Sequence, residues 1–171
     1  SMGGKAAMIA AISRPEIFKN LVVVDISPVN YTESEFINYI EILKGLNLNK
    51  IQSRKEADIE LQERIVDRNL RSFLLQNLYI DKCNNYNWKV NLDSLKKNIE
   101  DIKSFPKIQN SFQGKTLFIK GKNSTYIQPE HLSIINNFFP NYYLSEISNS
   151  GHWPHIEQQD LFRKELLTFF A

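Results

Sequence analysis

Two hydrophobic rhythms divide this chain of 171 residues. Gly3 to Ile12 holds Ala6, Ala7, Met8, Ala10 and Ala11, small helix-favouring residues that predict a helix able to lie close on a sheet, stopped at Pro15. Leu21-Val22-Val23-Val24-Asp25-Ile26 then reads as a strand apolar on both faces, as in a parallel sheet, closed by Ser27-Pro28. The same alternation returns late in the chain. Thr116 to Ile119 predicts a second strand after the Gly114 turn, and Pro129 opens a helix reaching Phe139. Tyr142 to Ile147 is a third strand, Ser148 to His155 a loop, and Glu157 to Phe170 a closing amphipathic helix. From Asn30 to Phe105 the spacing is helical, with no convincing strand. Phe36, Ile37, Ile40 and Leu43 form one stripe, Ile59, Ile65 and Val66 another. Leu70, Phe73, Leu74 and Leu78 form a third, and Leu92, Leu95, Ile99 and Ile102 a fourth. The pattern predicts an α/β fold in two stretches, residues 1–29 and 106–171, interrupted by three or four helices over 30–105. Helices inserted over the carboxyl ends of parallel strands would form a lid where such sheets bind ligands.

Charge narrows the functions. Lys and Arg number 21 against 19 Asp and Glu, a net +2 without a dense basic block, which disfavours nucleic acid as a partner. No apolar run reaches the roughly 20 residues of a bilayer span. Cys83 is alone, which excludes an intrachain disulfide and fits a reducing, intracellular compartment, cytoplasmic or organellar.

Three positions fit one chemistry. Ser1, followed by Met2-Gly3-Gly4 and a small-residue helix, matches the second half of a G-x-S-x-G nucleophile elbow. A serine at the tip of such a turn needs slim neighbours, because the helix must pass close to adjacent strands. The amide of Met2, at the helix start, would face a developing oxyanion. The competing reading is that Ser-Met is left over from tag cleavage. His152, in Ser150-Gly151-His152-Trp153-Pro154, follows the last strand on a glycine turn, where a general base could reach back over the sheet edge. His155, three residues on, lacks the further ligands a metal would need, and His131 is expected to face solvent. The third member should be a carboxylate orienting the imidazole. Its usual place, three residues past Gly121, holds Ser124, which cannot carry the charge. Asp25, at the end of the preceding strand, fits better and keeps the chain order Ser1, Asp25, His152, with Ser124 as an auxiliary hydrogen-bonding group. Asp25 could instead cap a turn with Ser27 and Pro28.

Taken together, Ser1 to Met8, Leu21 to Tyr31, Leu70 to Leu78, Trp88 to Leu95 and Ser150 to His155 resemble the α/β-hydrolase superfamily, and most closely its abhydrolase-domain-eleven branch with its bacterial ester and acyl-CoA hydrolase counterparts. The resemblance runs over essentially the whole chain. It implies that the acid follows the strand after the nucleophile helix, at Asp25, and that 30–105 is a helical cap shaping an acyl pocket. Phe73, Leu74, Leu78 and Trp88 are then the first candidates for its lining, with Trp153 beside the base. Enzymes of that kind have five strands before the nucleophile and a His-Gly type loop that completes the oxyanion hole. Neither stands before Ser1 here. The chain is therefore expected to be the C-terminal portion of such a fold, three parallel strands with flanking helices and a cap, exposing a strand edge to a missing N-terminal half and inactive alone. The function expected of the whole is cofactor-free hydrolysis of a small acyl ester or thioester by an acyl-enzyme route. The alternatives are a non-catalytic α/β-hydrolase-like binding or scaffold protein, and an amidohydrolase using the Ser1 amine as base, which the parallel α/β pattern disfavours.

Overall fold

The computed structural model describes residues 1–32 and 35–171. In chain order, α1 (Met2–Ser13) and β1 (Asn20–Val24) lead to α2 (Glu35–Lys44), α3 (Arg54–Leu61), α4 (Arg68–Leu75), the short strands β2 (Leu78–Ile80) and β3 (Tyr86–Trp88), and α5 (Leu92–Lys103). The last part contains β4 (Lys115–Gly121), α6 (Leu132–Phe138), β5 (Tyr142–Ile147), α7 (Pro154–Glu157) and α8 (Gln159–Phe170). The chain divides into two compact units, Ser1–Tyr31 with Ser104–Ala171, and Thr32–Lys103.

The first unit is a three-stranded parallel sheet in the order β1-β4-β5 with helices around it. Val23 pairs with Phe118 and Phe118 with Leu144, which puts β4 in the centre. Its alternating side chains serve two cores, as the pleat requires. Phe118 joins Met8, Ala11, Ile12, Ile135 and Phe139 on one face, and Leu117 and Ile119 join Ile147 and Phe169 on the other. The small residues of α1 let it lie close on β1: a methyl group at Gly4 would come within 2.6 Å of Ile26 Cγ2, whereas one at Gly3 would meet nothing within 4 Å. The close approach is therefore made by the second glycine of the pair. Lys5 anchors the same helix. Its buried Nζ donates to the Val29 and Ser104 carbonyls, 2.8 Å each, and burial pushes the ammonium down to about 8.

Two boundaries differ from the sequence reading. The helix opened by Pro129 begins as a 3₁₀ turn, Pro129–His131, before α6. Pro154 also nucleates the four-residue α7, with Gln158, at φ −140° and ψ 61°, separating it from α8, so His155 lies in a helix and not in a loop.

The second unit is helical around Ile40, Leu43, Leu61, Leu75, Leu78 and Ile99. It also contains an antiparallel hairpin, with Leu78 paired to Trp88 and Ile80 to Tyr86, where no strand was expected. Strands of three residues are too short to show alternation. Their turn is held by Asp81, whose Oδ1 accepts from the Cys83 and Asn85 amides, and by Asn84 in the left-handed region at φ 64°. Of the stripe Ile59, Ile65 and Val66, Ile65 is buried in this core and the other two are corrected. Those side chains are 50% and 85% exposed, and α3 buries Ala57 and Leu61 instead. Buried Arg71 closes that region, giving Nε to Asp58 at 2.7 Å and Nη1 to the Ile65 and Val66 carbonyls.

Candidate active site

Asp25 follows the last residue of β1 and is fully buried. Its amide still pairs with the Ile119 carbonyl at 2.8 Å, but its φ of 48° turns the backbone into the left-handed region. A non-glycine residue held there costs of order 1 kcal/mol, and such strain gathers at functional sites. Three donors meet the carboxylate. Gly121 N–H gives to Oδ1 at 3.0 Å, and Ser124 Oγ and His152 Nδ1 both reach Oδ2, the imidazole at 2.8 Å. A carboxylate accepts here, so Nδ1 is the donor of this bond, which leaves Nε2 as the nitrogen that can accept when the imidazole is neutral.

The loops that carry these groups interlock. Ser124 N–H returns to the Gly121 carbonyl, and Asn123 N–H to the Ser150 carbonyl, tying the loop after β4 to the loop that bears His152. The Gly151 carbonyl stands 1.9 Å from where a Cβ on Gly121 would be, so only glycine fits there. Tyr126 lies against the imidazole, ring centroids 3.9 Å apart and planes 23° from parallel. Its own carbonyl accepts from Tyr31 Oη and Ser27 Oγ. His131 belongs to this support and does not face solvent as expected. Its half-buried ring accepts the Gln128 amide at Nδ1, 3.2 Å, with Ser27 Oγ at the same distance from that nitrogen.

Ser1 caps α1 at its N-terminus, is exposed, and makes no side-chain capping bond. Met2 opens α1, and its amide is among those that a helix start leaves without an intrahelical partner. Trp153 is half-buried, its ring 6.4 Å from that of His152. In the helical unit, Leu78 has no exposed surface, Leu74 and Trp88 pack partly buried against the core, and Phe73 is 49% exposed.

Asp25, Ser124 and His152 thus meet at one point, joined by Gly121, Tyr126 and Glu157, which the sequence reading did not single out as site residues. Glu157 accepts the Gly151 amide at 2.8 Å and the Trp153 amide at 3.1 Å. Its signal was a carboxylate one helical turn after Trp153-Pro154. Among the described residues, no cluster of three or more His, Cys, Asp or Glu is arranged to hold a metal, and no helix is long and apolar enough to cross a membrane.

Residues 1–159 match the family model described as alpha/beta hydrolase fold. The chain is 39% identical to the sn-1-specific diacylglycerol lipase ABHD11 of Mus musculus over all of its own length and 57% of that protein's. It is 33% identical to a putative esterase/lipase of Haemophilus influenzae, covering 99% of this chain and 58% of that one. A solved marine microorganism esterase superposes with a TM-score of 0.93 at 35% identity, over 99% of this chain and 67% of the other. The chain spans little more than half the length of the curated relatives it matches.

Proposed function

The chain belongs to the alpha/beta hydrolase fold family and, within it, to the abhydrolase-domain-eleven esterase branch, and on that premise we propose that it supplies nucleophile, base and acid to a serine hydrolase of carboxylic esters or thioesters. The observation that carries this reading is the Nδ1–H bond of His152 to a buried carboxylate just past the end of the strand that follows the Ser1 helix. Ser1 Oγ attacks the acyl carbon as His152 Nε2 takes its proton. The oxyanion is received by the Met2 amide, and the leaving alkoxide or thiolate departs with the proton from Nε2. Water then repeats the sequence on the acyl-serine and restores Ser1. Asp25 holds the imidazole and balances the imidazolium charge, and the Ser124 hydroxyl fixes the carboxylate. No step calls for a cofactor.

Phe73, Leu74 and Trp88 in the helical unit, with Leu78 as a packing residue of its core, and Trp153 beside the base are proposed as residues that serve the acyl group. The relatives' greater length supports a further proposal, that these residues work with an N-terminal half of the same protein, which supplies the rest of the oxyanion hole, and turn over little ester without it. The reading is tested by assaying the longer protein against a short p-nitrophenyl ester and an acyl-CoA. Hydrolysis abolished by Ser1→Ala is the expected result. Saturable binding of the ester without turnover in the unsubstituted protein would instead favour a non-catalytic binding protein.

A further inference from the structure

We propose that Glu157 is a positioning residue for His152, clamping the backbone on both sides of the base so that the imidazole stays at its bond to Asp25. This rests on the hydrolase reading above. The two carboxylate oxygens do separate work. Oε2 takes the amide of Gly151, the residue before His152, at 2.8 Å, and Oε1 takes the amide of Trp153, the residue after it, at 3.1 Å. One side chain therefore spans the main chain of the histidine and fixes the peptide units from which its side chain departs.

The local sequence makes the clamp possible. Pro154 starts α7 immediately after Trp153, and the Trp153 carbonyl accepts from the Ile156 and Glu157 amides at 2.8 and 2.9 Å, so a single turn returns Glu157 beneath the residue where the helix began. Capping α7 would account for the bond to the Trp153 amide. It does not account for the bond to Gly151, which lies outside the helix. Glu157 is exposed, so neither core packing nor charge burial requires a carboxylate there.

The ring and the backbone of His152 are thus held by different groups. Asp25 fixes the Nδ1 edge and Tyr126 covers a face of the ring. The opposite side of the loop, the Gly151 carbonyl, abuts Gly121, whose amide holds Asp25 Oδ1. Without Glu157 the Gly151 and Trp153 amides lose their shared carboxylate, and the bond from Nδ1 to Asp25 is free to lengthen.

The test uses the longer protein that contains this chain, as Glu157→Gln, which keeps the length but offers one acceptor and a misplaced donor, and as Glu157→Asp, which is too short to bridge both amides. Three readouts apply, each normalised to folded protein by circular dichroism: kcat and KM for a short p-nitrophenyl ester, the rate of fluorophosphonate labelling, and the far-downfield proton resonance of His152 Nδ1–H. In both variants kcat and the labelling rate should fall about 10- to 100-fold with KM within about twofold, and the resonance should broaden or vanish. Unchanged kcat per folded molecule with the resonance intact overturns the proposal, as does a loss that only follows the folded fraction. An unsubstituted protein that hydrolyses no ester counts against the hydrolase reading. The resonance then decides the clamp by itself, its loss in the variants upholding it and its persistence refuting it.

Discussion

The carboxylate of Asp25 is fully buried and receives bonds from Gly121, Ser124 and His152, whereas Ser1, at the head of α1, makes no side-chain capping bond. Asp25 and His152, the proposed acid and base, are oriented by side chains and by two interlocked loops. Ser1 is positioned through the backbone of its helix, which Gly4 seats against Ile26 and Lys5 ties to two carbonyls. In the proposed mechanism, two modes of preorganisation would thus serve one reaction. On the acid–base side a substitution disturbs structure and chemistry together, while on the nucleophile side the two can be separated.

The largest expected effect is on Asp25. Asp25→Asn keeps the shape but presents an amide where His152 needs an acceptor, so kcat in the longer protein should fall about 10⁴-fold, measured with a p-nitrophenyl ester; a fall below tenfold would break the assignment of the acid. Gly121→Ala comes next. The added methyl would meet the backbone carbonyl of Gly151 and cannot be relieved by a flexible side chain. Overpacking of this kind costs about 1–3 kcal/mol or more, so chemical denaturation should show a loss of that size with esterase activity falling alongside it.

Ser124→Ala removes one of the three donors to a buried carboxylate, and a loss of about 1–3 kcal/mol is expected, with kcat reduced less than in Asp25→Asn. An effect equal to that of Asp25→Asn would promote Ser124 from support to an essential member of the relay. Lys5→Met sharpens the other side of the comparison. It withdraws the Lys5 donor from the Val29 and Ser104 carbonyls and should cost about 1–3 kcal/mol of stability while leaving the His152 Nδ1–H resonance in place, because two residues stand between Lys5 and the imidazole: Tyr31, whose ring the ammonium faces at 4.8 Å, and Tyr126, whose carbonyl Tyr31 holds and whose ring stacks on His152. A shifted resonance would mean that the two sides are mechanically coupled.

What the sequence disclosed followed the length of each signal. The Leu21 to Ile26 run and the Ala-rich helix were legible because burial on a parallel sheet leaves a continuous apolar record, whereas Tyr142 to Ile147, an edge strand in which only Ile147 is buried, was legible through its aromatic and branched residues after the Pro140-Asn141 stop. The β2–β3 hairpin was not, since three residues per strand carry no period, and Ile59 and Val66 misled because a short helix can bury Ala57 and Leu61 while leaving larger side chains outside. At the site, the pairing of Asp25 with His152 followed from strand ends and chain order together with the serine at 124. The groups that steady this pair were illegible for a different reason. Tyr126 acts through a ring face, Gly121 through an amide, and Glu157 through bonds to backbone that any sequence presents. His131 was placed in solvent because nothing in its neighbours along the chain reveals Ser27, which lies 104 positions away.

The most direct test of the central claim is the site of covalent labelling. The longer protein is treated with a fluorophosphonate, digested, and the modified peptide identified by mass spectrometry, with Ser1→Ala in parallel. The account predicts one phosphonylated residue, Ser1, at a rate that collapses in Asp25→Asn, and no labelling of the Ser1→Ala protein. Phosphonylation of another serine, or labelling that survives Ser1→Ala, would contradict it.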